Sequence, residues 1–396
     1  MWLMVAVMQT GCQGSEEEVK APDGDDCFLE IPICAPDHPI LTRGDVGKIA
    51  SSEAERKVYS LQIWVFKNND GSLLCYRDLD FSPLNVSPYQ QTYKMKVDKT
   101  FAEVRDKVDI YVVANAESCN LSFGKQTDRD ALDQAVIGTA YFGTIDLYGK
   151  TDLTDLETGR IARYGLPMSA VLKKQSIYGS FPSLRIGSQD QPAVLQLTRA
   201  VSKLRFVLCR IKEKSTSTST STKQLESISI SLKGNQIPVQ TYIIPRESYS
   251  FNYSHGVIDF GSVTRQQIEA TPSAIPEVEN PLDYVYETQN AQNYENLINT
   301  AISSNKLAEF GLTYFRESDK KLEGTITYKI NDNGTVKDAD PASFTMAAPG
   351  DFLRNHSWIV YVYFMDSKIH VLTVTHIGIK DWVDAGPNDN VEEYNW

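Results

Sequence analysis

The sequence lacks the residue patterns that most metal sites and enzyme active sites require. None of its six cysteines forms a C-x-x-C pair, and its five histidines include no H-x-x-x-H spacing, so neither a zinc site nor a redox pair is predicted. It also contains no G-x-S-x-G nucleophile elbow and no glycine-rich loop that would bind phosphate. We therefore expect a protein that is not an enzyme and that holds neither a metal ion nor a cofactor.

Positive charge is also scarce. The 396-residue chain has 39 lysines and arginines against 51 aspartates and glutamates, which gives a formal net charge of −12. Proteins that bind nucleic acid usually carry a basic surface that contacts the phosphates, so we expect no nucleic-acid partner. Hydrophobic residues make up 41% of the chain, which is enough for packed cores, and the length suits two domains.

Apolar runs long enough to span a membrane are missing too, and a shorter run lies at the beginning of the sequence. The run within residues 1–11 has the length of a signal-peptide core and is too short to span a membrane. Gly11 and Cys12 resemble the end of a lipobox, in which the cysteine becomes lipidated, although Gln9 stands where a leucine is usual. We therefore predict a signal peptide over residues 1–11 and lipidation of Cys12. A plain signal peptide and an incidental cysteine are the alternatives.

The segment after Cys12 changes character twice. Residues 13–26 are polar and acidic and predict a flexible tether. Residues 27–36, CFLEIPICAP, are rich in apolar residues and predict a strand. Pro32 cannot donate a backbone hydrogen bond, so we expect this strand to lie at the edge of a sheet. The apolar side chains of the strand are Phe28, Leu29, Ile31 and Ile33.

An arginine follows this strand in a segment whose backbone is expected to be extended. Pro36 and Pro39 precede Arg43, and Gly44 follows it, so a protease specific for arginine would find an accessible backbone there. We hypothesise that cleavage between Arg43 and Gly44 removes residues 12–43 and the strand with them. An ordinary surface loop that happens to contain an arginine is the alternative.

Beyond residue 44 the pattern is that of a β protein. Apolar runs are bounded by turn signals such as Asn-Asp-Gly, and helical patterns are confined to residues 127–136 and 292–304. Residues 193–211 are compatible with a helix or a strand, and the alternation in SKLRFVL favours a strand. The other predicted strands lie within residues 58–66, 72–79, 91–97, 108–116, 164–172, 225–235, 322–337, 356–364 and 369–379. We therefore predict an all-β protein of two sandwich domains with few short helices.

A polar stretch near the middle of the chain marks the expected domain boundary. Residues 187–192 are mostly polar and precede the long apolar segment. We therefore place an N-terminal β-sandwich domain at residues 44–190 and a C-terminal one at residues 191–396.

The polar tail at the end of the sequence carries three large apolar side chains, Val391, Tyr394 and Trp396. A sheet that loses a strand exposes unpaired N–H and C=O groups and an apolar groove, and a strand from another chain can fill that groove. The tail is our candidate donor strand. A frayed terminus is the alternative.

Several short motifs, none of them specific alone, occur in an order that is typical of one family. They are Cys12, LTR ending at Arg43, LQIWVF, IYVVANA, LPMSA, LTRAVSKL, RNHSWIVYVYF, and Trp382 before the tail. In this order and spacing they resemble the Bacteroidales fimbrillins, the FimA/Mfa-like subunits of type V pili. The resemblance covers nearly the whole chain.

The resemblance implies two transthyretin-like β-sandwich domains. It also implies a lipoprotein precursor, modified with palmitate at Cys12, that is carried to the outer membrane and is cleaved there after Arg43 by an Arg-specific protease. The C-terminal strand of another subunit would then fill the groove, and repetition of this strand exchange would build a homopolymeric fimbria on the cell surface.

The tail favours a stalk subunit within that family. The alternative is a lipid-anchored tip adhesin or glycan-binding surface protein that does not polymerise. Either kind of subunit would contact other fimbrial subunits, and an adhesin would also bind a receptor on a host or bacterial surface.

Overall fold

The computed structural model describes most of the predicted strands and the two hydrophobic cores that they enclose. The described residues are 26–34, 58–81, 90–104, 106–119, 121–125, 128–137, 165–210, 212–213, 224–246, 252–253, 256–264, 277–278, 308–346, 354–355, 357–365 and 368–375. Within these ranges, regular structure is β-strand except for three short helical segments. The all-β fold class is therefore confirmed.

The strands that precede residue 201 include those of two sheets around the first hydrophobic core. In chain order they are β1 (Cys27–Cys34), β2 (Ser60–Lys67), β3 (Leu73–Asp80), β4 (Gln90–Val97), β5 (Val108–Ala114), β6 (Val136–Ile137), β7 (Met168–Gln175), β8 (Ile177–Ser180), β9 (Ser183–Ile186), β10 (Leu195–Gln196) and β11 (Thr198–Arg199). In one sheet, β1 pairs with β4 on one side and with β9 and β10 on the other, and β8 pairs with β9. The other has the order β11–β7–β5–β2–β3, and both contribute to one buried cluster.

The later strands build two further sheets around the second core. They are β12 (Val201–Arg210), β13 (Lys212–Glu213), β14 (Gln224–Leu232), β15 (Thr241–Tyr242), β16 (Ile258–Thr264), β17 (Glu277–Val278), β18 (Ala308–Arg316), β19 (Leu322–Asp332), β20 (Thr335–Asp338), β21 (Ala342–Met346), β22 (Ser357–Met365) and β23 (Lys368–Thr375). The sheet orders are β18–β12–β22–β23 and β16–β14–β19–β20, with β21 also paired to β19. Two small pairs, β13–β17 and β15–β6, complete the described sheets.

Two of the turn signals in the sequence join neighbouring antiparallel strands. Gly71, between β2 and β3, has a φ of 71°, and the Asp70 carboxylate accepts a hydrogen bond from the Ser72 amide at 2.8 Å. Between β19 and β20, Asn333 and Gly334 both have positive φ, at 51° and 87°. Consecutive positive φ values suit a tight hairpin turn and favour Asn-Gly, as in the second turn. The single positive φ of the first turn falls on a glycine, which adopts it without strain.

The strand predicted within residues 108–116 is present, and it lies in the middle of its sheet. Every residue of β5 is buried, and β5 pairs with β2 on one side and β7 on the other. Its end is fixed by Asn115, whose side-chain oxygen accepts from the Tyr59 amide at 2.8 Å and whose side-chain nitrogen donates to the Leu166 carbonyl at 2.8 Å. This one side chain therefore ties the chain segments that lead into β2 and β7.

The segment that was compatible with a helix or a strand is a strand. β12 pairs antiparallel with β18 and parallel with β22, so its backbone groups are shared with two neighbours. Leu204 and Phe206, two residues apart, are both fully buried in the second core.

The short helices are α1 (Lys99–Val104), a 3₁₀ turn (Ala116–Cys119) and α2 (Arg129–Asp133). The predicted helix near residue 127 is therefore present as α2, and its N-cap is Asp128, whose carboxylate accepts from the Asp130 amide at 2.9 Å. The second predicted helix, at residues 292–304, lies outside the described residues. No helix in the described ranges is long and apolar enough to cross a membrane.

The prediction that β1 is an edge strand is wrong. β1 pairs along its whole length with β4, and on its other side it pairs with β9 over residues 28–30 and with β10 over residues 33–34. The Phe28 amide donates to the Pro182 carbonyl at 2.8 Å, so even-numbered residues of β1 direct their backbone groups toward β9 and β10. Pro32 is one of these residues, and it lies between the two short pairings, where its missing N–H interrupts neither.

The hydrophobic contacts pass from the first core to the second within β12. Val201 packs in the first core and Leu204 in the second, while Ile243 and Tyr314, later in the chain, return to the first. The domain boundary between residues 190 and 191 stays a prediction.

A buried ion pair lies close to this crossover. The Arg354 Nε is 3.1 and 3.0 Å from the two carboxylate oxygens of Glu317, and both side chains are almost completely buried. Arg354 also donates to the Ile243 carbonyl at 2.8 Å, and Glu317 accepts from the Thr241 hydroxyl at 2.9 Å. Loss of one member of such a pair usually costs about 3–5 kcal/mol, because the remaining charge stays buried without its partner.

Gly324 in β19 provides a test of the second core. A Cβ at this position would lie 2.2 Å from Cζ of Phe344 and 2.7 Å from the backbone oxygen of Ser231. Phe344 is buried and packs edge-to-face against Phe206, so it has little room to withdraw. We expect Gly324→Ala to lower the free energy of unfolding by about 1–3 kcal/mol, measured by urea denaturation.

Gly256→Ala is the matched control, because no heavy atom of the described residues lies within 4 Å of the Cβ that it would add. Its stability should equal that of the parent or slightly exceed it. Equal stabilities for the two variants would contradict the packing described around Gly324.

Candidate functional site at strand β1

Strand β1 fills a groove that has β4 on one side and β9 and β10 on the other, named here the β1 groove. Its odd-numbered side chains point into the first core: Cys27, Leu29 and Ile31 are completely buried, and Ile33 is 4% exposed. Across the sheet they meet buried residues of β4, β9 and β10, namely Val97, Met95, Tyr93, Leu184 and Leu195. β1 is therefore an integral part of the first core.

The magnitude of this burial shows how much the first core depends on β1. Burial of one leucine or isoleucine side chain stabilises a fold by about 1.5–3 kcal/mol, so Leu29, Ile31 and Ile33 together contribute about 5–9 kcal/mol. A whole domain usually has a net stability of about 5–15 kcal/mol. Without β1, the groove would also expose the unpaired backbone groups of β4, β9 and β10. An empty β1 groove is therefore a high-energy state of this fold.

The outward face of β1 carries an acidic side chain between two basic ones. Glu30 lies directly opposite Lys94 of β4 and Arg185 of β9. Its carboxylate accepts a hydrogen bond from the Arg185 Nε at 3.0 Å and lies 3.9 Å from the Lys94 Nζ. Tyr178 of β8 is opposite Arg185, so these four residues form one row across four strands, which we call the charge row.

A second ion pair lies at the beginning of the strand. The Asp26 carboxylate is 2.5 Å from the Nζ of Lys96, the residue of β4 opposite Phe28. The acidic groups of this face therefore belong to β1 and the residue before it, and their basic partners belong to β4 and β9.

The pKa of Glu30 is lowered from its usual value. Burial raises it, but the Ser183 hydroxyl, the hydrogen bond from Arg185, and the positive charges of Arg185 and Lys94 together lower it by more. The ionised carboxylate is therefore stabilised by its position in the groove.

The cysteines of β1 are not candidates for reactive thiolates. Burial raises the pKa of both the Cys27 and the Cys34 thiols. Neither thiol is part of a disulfide bond. We therefore assign Cys27 and Cys34 a packing role.

The predicted site residues divide into described and undescribed positions. Leu29, Ile31 and Ile33 lie together on the inward face of β1, as expected for residues that fill a groove. Phe28 lies on the opposite face and is half-buried, because successive side chains of a strand alternate. The remaining predicted positions lie outside the described residues: Cys12, Arg43, Gly44, Val391, Tyr394 and Trp396.

Comparisons with known proteins give similarity in solved structures alone. No family model matches the sequence, and no curated protein sequence matches it. The structure is similar to the tip fimbrial protein Mfa3 from Porphyromonas gingivalis, with 14% identity, a TM-score of 0.46, and coverage of 88% of this chain and 99% of that one. It is also similar to a fimbrial assembly protein from Parabacteroides distasonis, with 12% identity, a TM-score of 0.40, and coverage of 88% and 96%. Identities this low say nothing about what the chain binds.

Sequence reasoning missed the basic partners of Glu30. Lys94 and Lys96 flank Met95 in an alternating strand, so their outward direction is visible in the sequence, but their position beside β1 is not. Arg185 lies 155 positions after Glu30, and a parallel pairing over that distance leaves no local signal.

Among the described residues, no group of three or more His, Cys, Asp or Glu side chains is arranged to hold a metal ion.

The lowered pKa of Glu30 leads to a pH-dependent stability. Its stabilising contribution is complete above about pH 4.3, the usual pKa of a glutamate, and is lost as the pH falls through the lower folded-state pKa. We expect Glu30→Gln to reduce the free energy of unfolding of the first core by about 0.2–1 kcal/mol near pH 7 and by much less near pH 3. The measurement is urea denaturation of both proteins over this pH range.

Arg185→Gln tests the stated cause, because it removes the main positive partner and leaves Glu30 in place. It should destabilise the chain near pH 7 and, like Glu30→Gln, have little effect near pH 3. A loss of stability that is the same at both pH values would mean that packing, not charge, is responsible.

Proposed function

We propose that this protein is a fimbrillin-type structural subunit of a cell-surface fimbria and that β1 is its exchangeable strand. In this proposal the chain is exported as a lipoprotein precursor, is cleaved after Arg43, and joins other copies by strand exchange. The motif order from Cys12 to Trp382 supports the family assignment.

One observation carries the proposal. Strand β1 ends at Cys34, and every other described strand of the two sheets around the first core lies after residue 44. A single cut after Arg43 would therefore separate β1 covalently from all of its partners while leaving those partners on one chain. The inward side chains of β1 complete the first core, so its departure would create a groove that needs another strand.

The tail fits this groove in part. If Tyr394 and Trp396 took the positions of Ile31 and Ile33, Glu393 would take the outward position of Glu30. The preceding glutamate would then fall on the inward face, so the match covers only the C-terminal half of β1. This partial match supports the tail as a donor strand and a stalk role for the subunit.

Limited proteolysis tests the switch. We expect a trypsin-like protease to make an early cut after Arg43 in the full chain and the cut protein to form a ladder of oligomers that survives mild denaturant, since each strand is held inside a folded sandwich. The measurement is N-terminal sequencing of the product with native and denaturing gel electrophoresis. Arg43→Gln is the control and should remain monomeric. A cut protein that stays monomeric at high concentration would instead favour the non-polymerising tip adhesin.

Deletion of residues 388–396 tests the donor strand. We expect this truncated chain to be cut after Arg43 as the parent is and to form no ladder, because the segment that would enter the next groove is missing. Circular dichroism and the unfolding midpoint before cleavage check that the fold is retained. An undiminished ladder would show that another segment is the donor.

A further inference from the structure

We infer that the β1 groove selects its occupant by charge, and that it takes a strand with an acidic residue at the outward position of Glu30 and apolar residues on either side. This inference rests on the proposed exchange of β1 and adds the chemistry of the incoming strand. It concerns the described residues of β1, β4 and β9.

The first observation is the distribution of charge around the groove. The described ion pairs of Lys94, Lys96 and Arg185 are all made with Glu30 or Asp26. When β1 leaves, both acidic partners leave with it, and three cations remain along the two sides of the groove. An incoming strand that is acidic on this face restores the pairs, and one that is basic is repelled.

The second observation is that apolar side chains alone leave the register open. Inward residues repeat every second position, so a strand shifted by two residues still places apolar side chains in the core. A shift by two toward Phe28 would place the outward acid opposite Ser183 and Lys96, with a basic partner on one side only. A shift by two toward Pro32 would place it opposite Thr92 and beyond the pairing with β9. The native register is therefore the one that places the acid between Lys94 and Arg185.

The occupant that these constraints describe is an extended segment with the pattern apolar–acidic–apolar. β1 itself has this pattern in Leu29, Glu30 and Ile31, whereas the tail meets it on one side only, with Tyr394 after Glu393 and Glu392 before it. Glu30 is 16% exposed and Arg185 is 60% exposed in their side chains, so the pair lies at the rim of the groove. Rim charges mainly set specificity and register, while the inward side chains provide most of the affinity.

Peptide exchange on the cut chain provides the test. The full chain is cut after Arg43, and a fluorescent peptide of residues 26–34 is added at increasing concentration, with binding followed by fluorescence anisotropy. We expect the Glu30→Lys peptide to bind about tenfold more weakly than the parent peptide, because two attractive pairs become repulsive. On the Arg185→Glu protein this preference should shrink or reverse.

The control is Lys329→Glu, which makes the same charge change at an exposed side chain of β19, in the second core's sheet. It should leave the peptide preference as in the parent. Equal binding of the parent and Glu30→Lys peptides to the parent protein would overturn the charge selection and leave strand exchange standing.

A second measurement separates this inference from the proposed function. In the uncut chain, Glu30→Lys should lower the unfolding temperature, and the added Arg185→Glu change should restore part of the loss. If the unfolding temperature is restored but no peptide binds the cut chain, the charge row holds β1 permanently in place. That result would overturn both strand exchange and the selection of an incoming strand. No restoration would overturn the charge row as the source of register.

Discussion

The pairing of β1 on both sides is the constraint on which the first core depends. A strand in this position shares its backbone hydrogen bonds with two neighbours and places every second side chain in the core. β4 pairs with β1 over all eight residues, whereas β9 and β10 divide the other side between them. Among the described strands of this sheet, backbone pairing connects β4 to β9 and β10 only through β1. The sheet is therefore continuous only while the β1 position is filled.

The same position is connected to the second core through a short stretch of chain. The Leu197 amide donates to the Cys34 carbonyl at 2.9 Å, immediately after β10. Two residues later, Arg199 is fully buried and donates to the Asn355 side chain at 3.2 Å. The backbone N–H of Asn355 in turn donates to the Val201 carbonyl at 2.7 Å. The chain that closes one side of the β1 groove therefore also forms the junction between the cores.

The features of this fold that could be predicted from sequence are those with a local cause. Alternation predicts β4, a continuous apolar run predicts β5, and Asn333-Gly334 predicts a tight turn, because each depends on neighbouring residues. The edge position predicted for β1 was wrong for the opposite reason. Whether Pro32 is tolerated depends on where β9 and β10 end, and those strands come about 150 residues later in the chain. The inward residues of the site were therefore predictable, and the basic partners of Glu30 were not.

A central position also changes what the proposed exchange requires. An edge strand can leave with the loss of one set of backbone pairings, but β1 would leave two sets unpaired together with about 5–9 kcal/mol of apolar burial. That amount is similar to the whole net stability of a typical domain, so a first core with an empty groove would be close to unfolding. Removal and replacement of the strand must therefore be coupled, and a groove that favours one charge pattern limits which strands can take part. In the proposed exchange, the central position and the charge row would together stabilise the precursor with β1 in place and would make the groove selective for the strand that replaces β1.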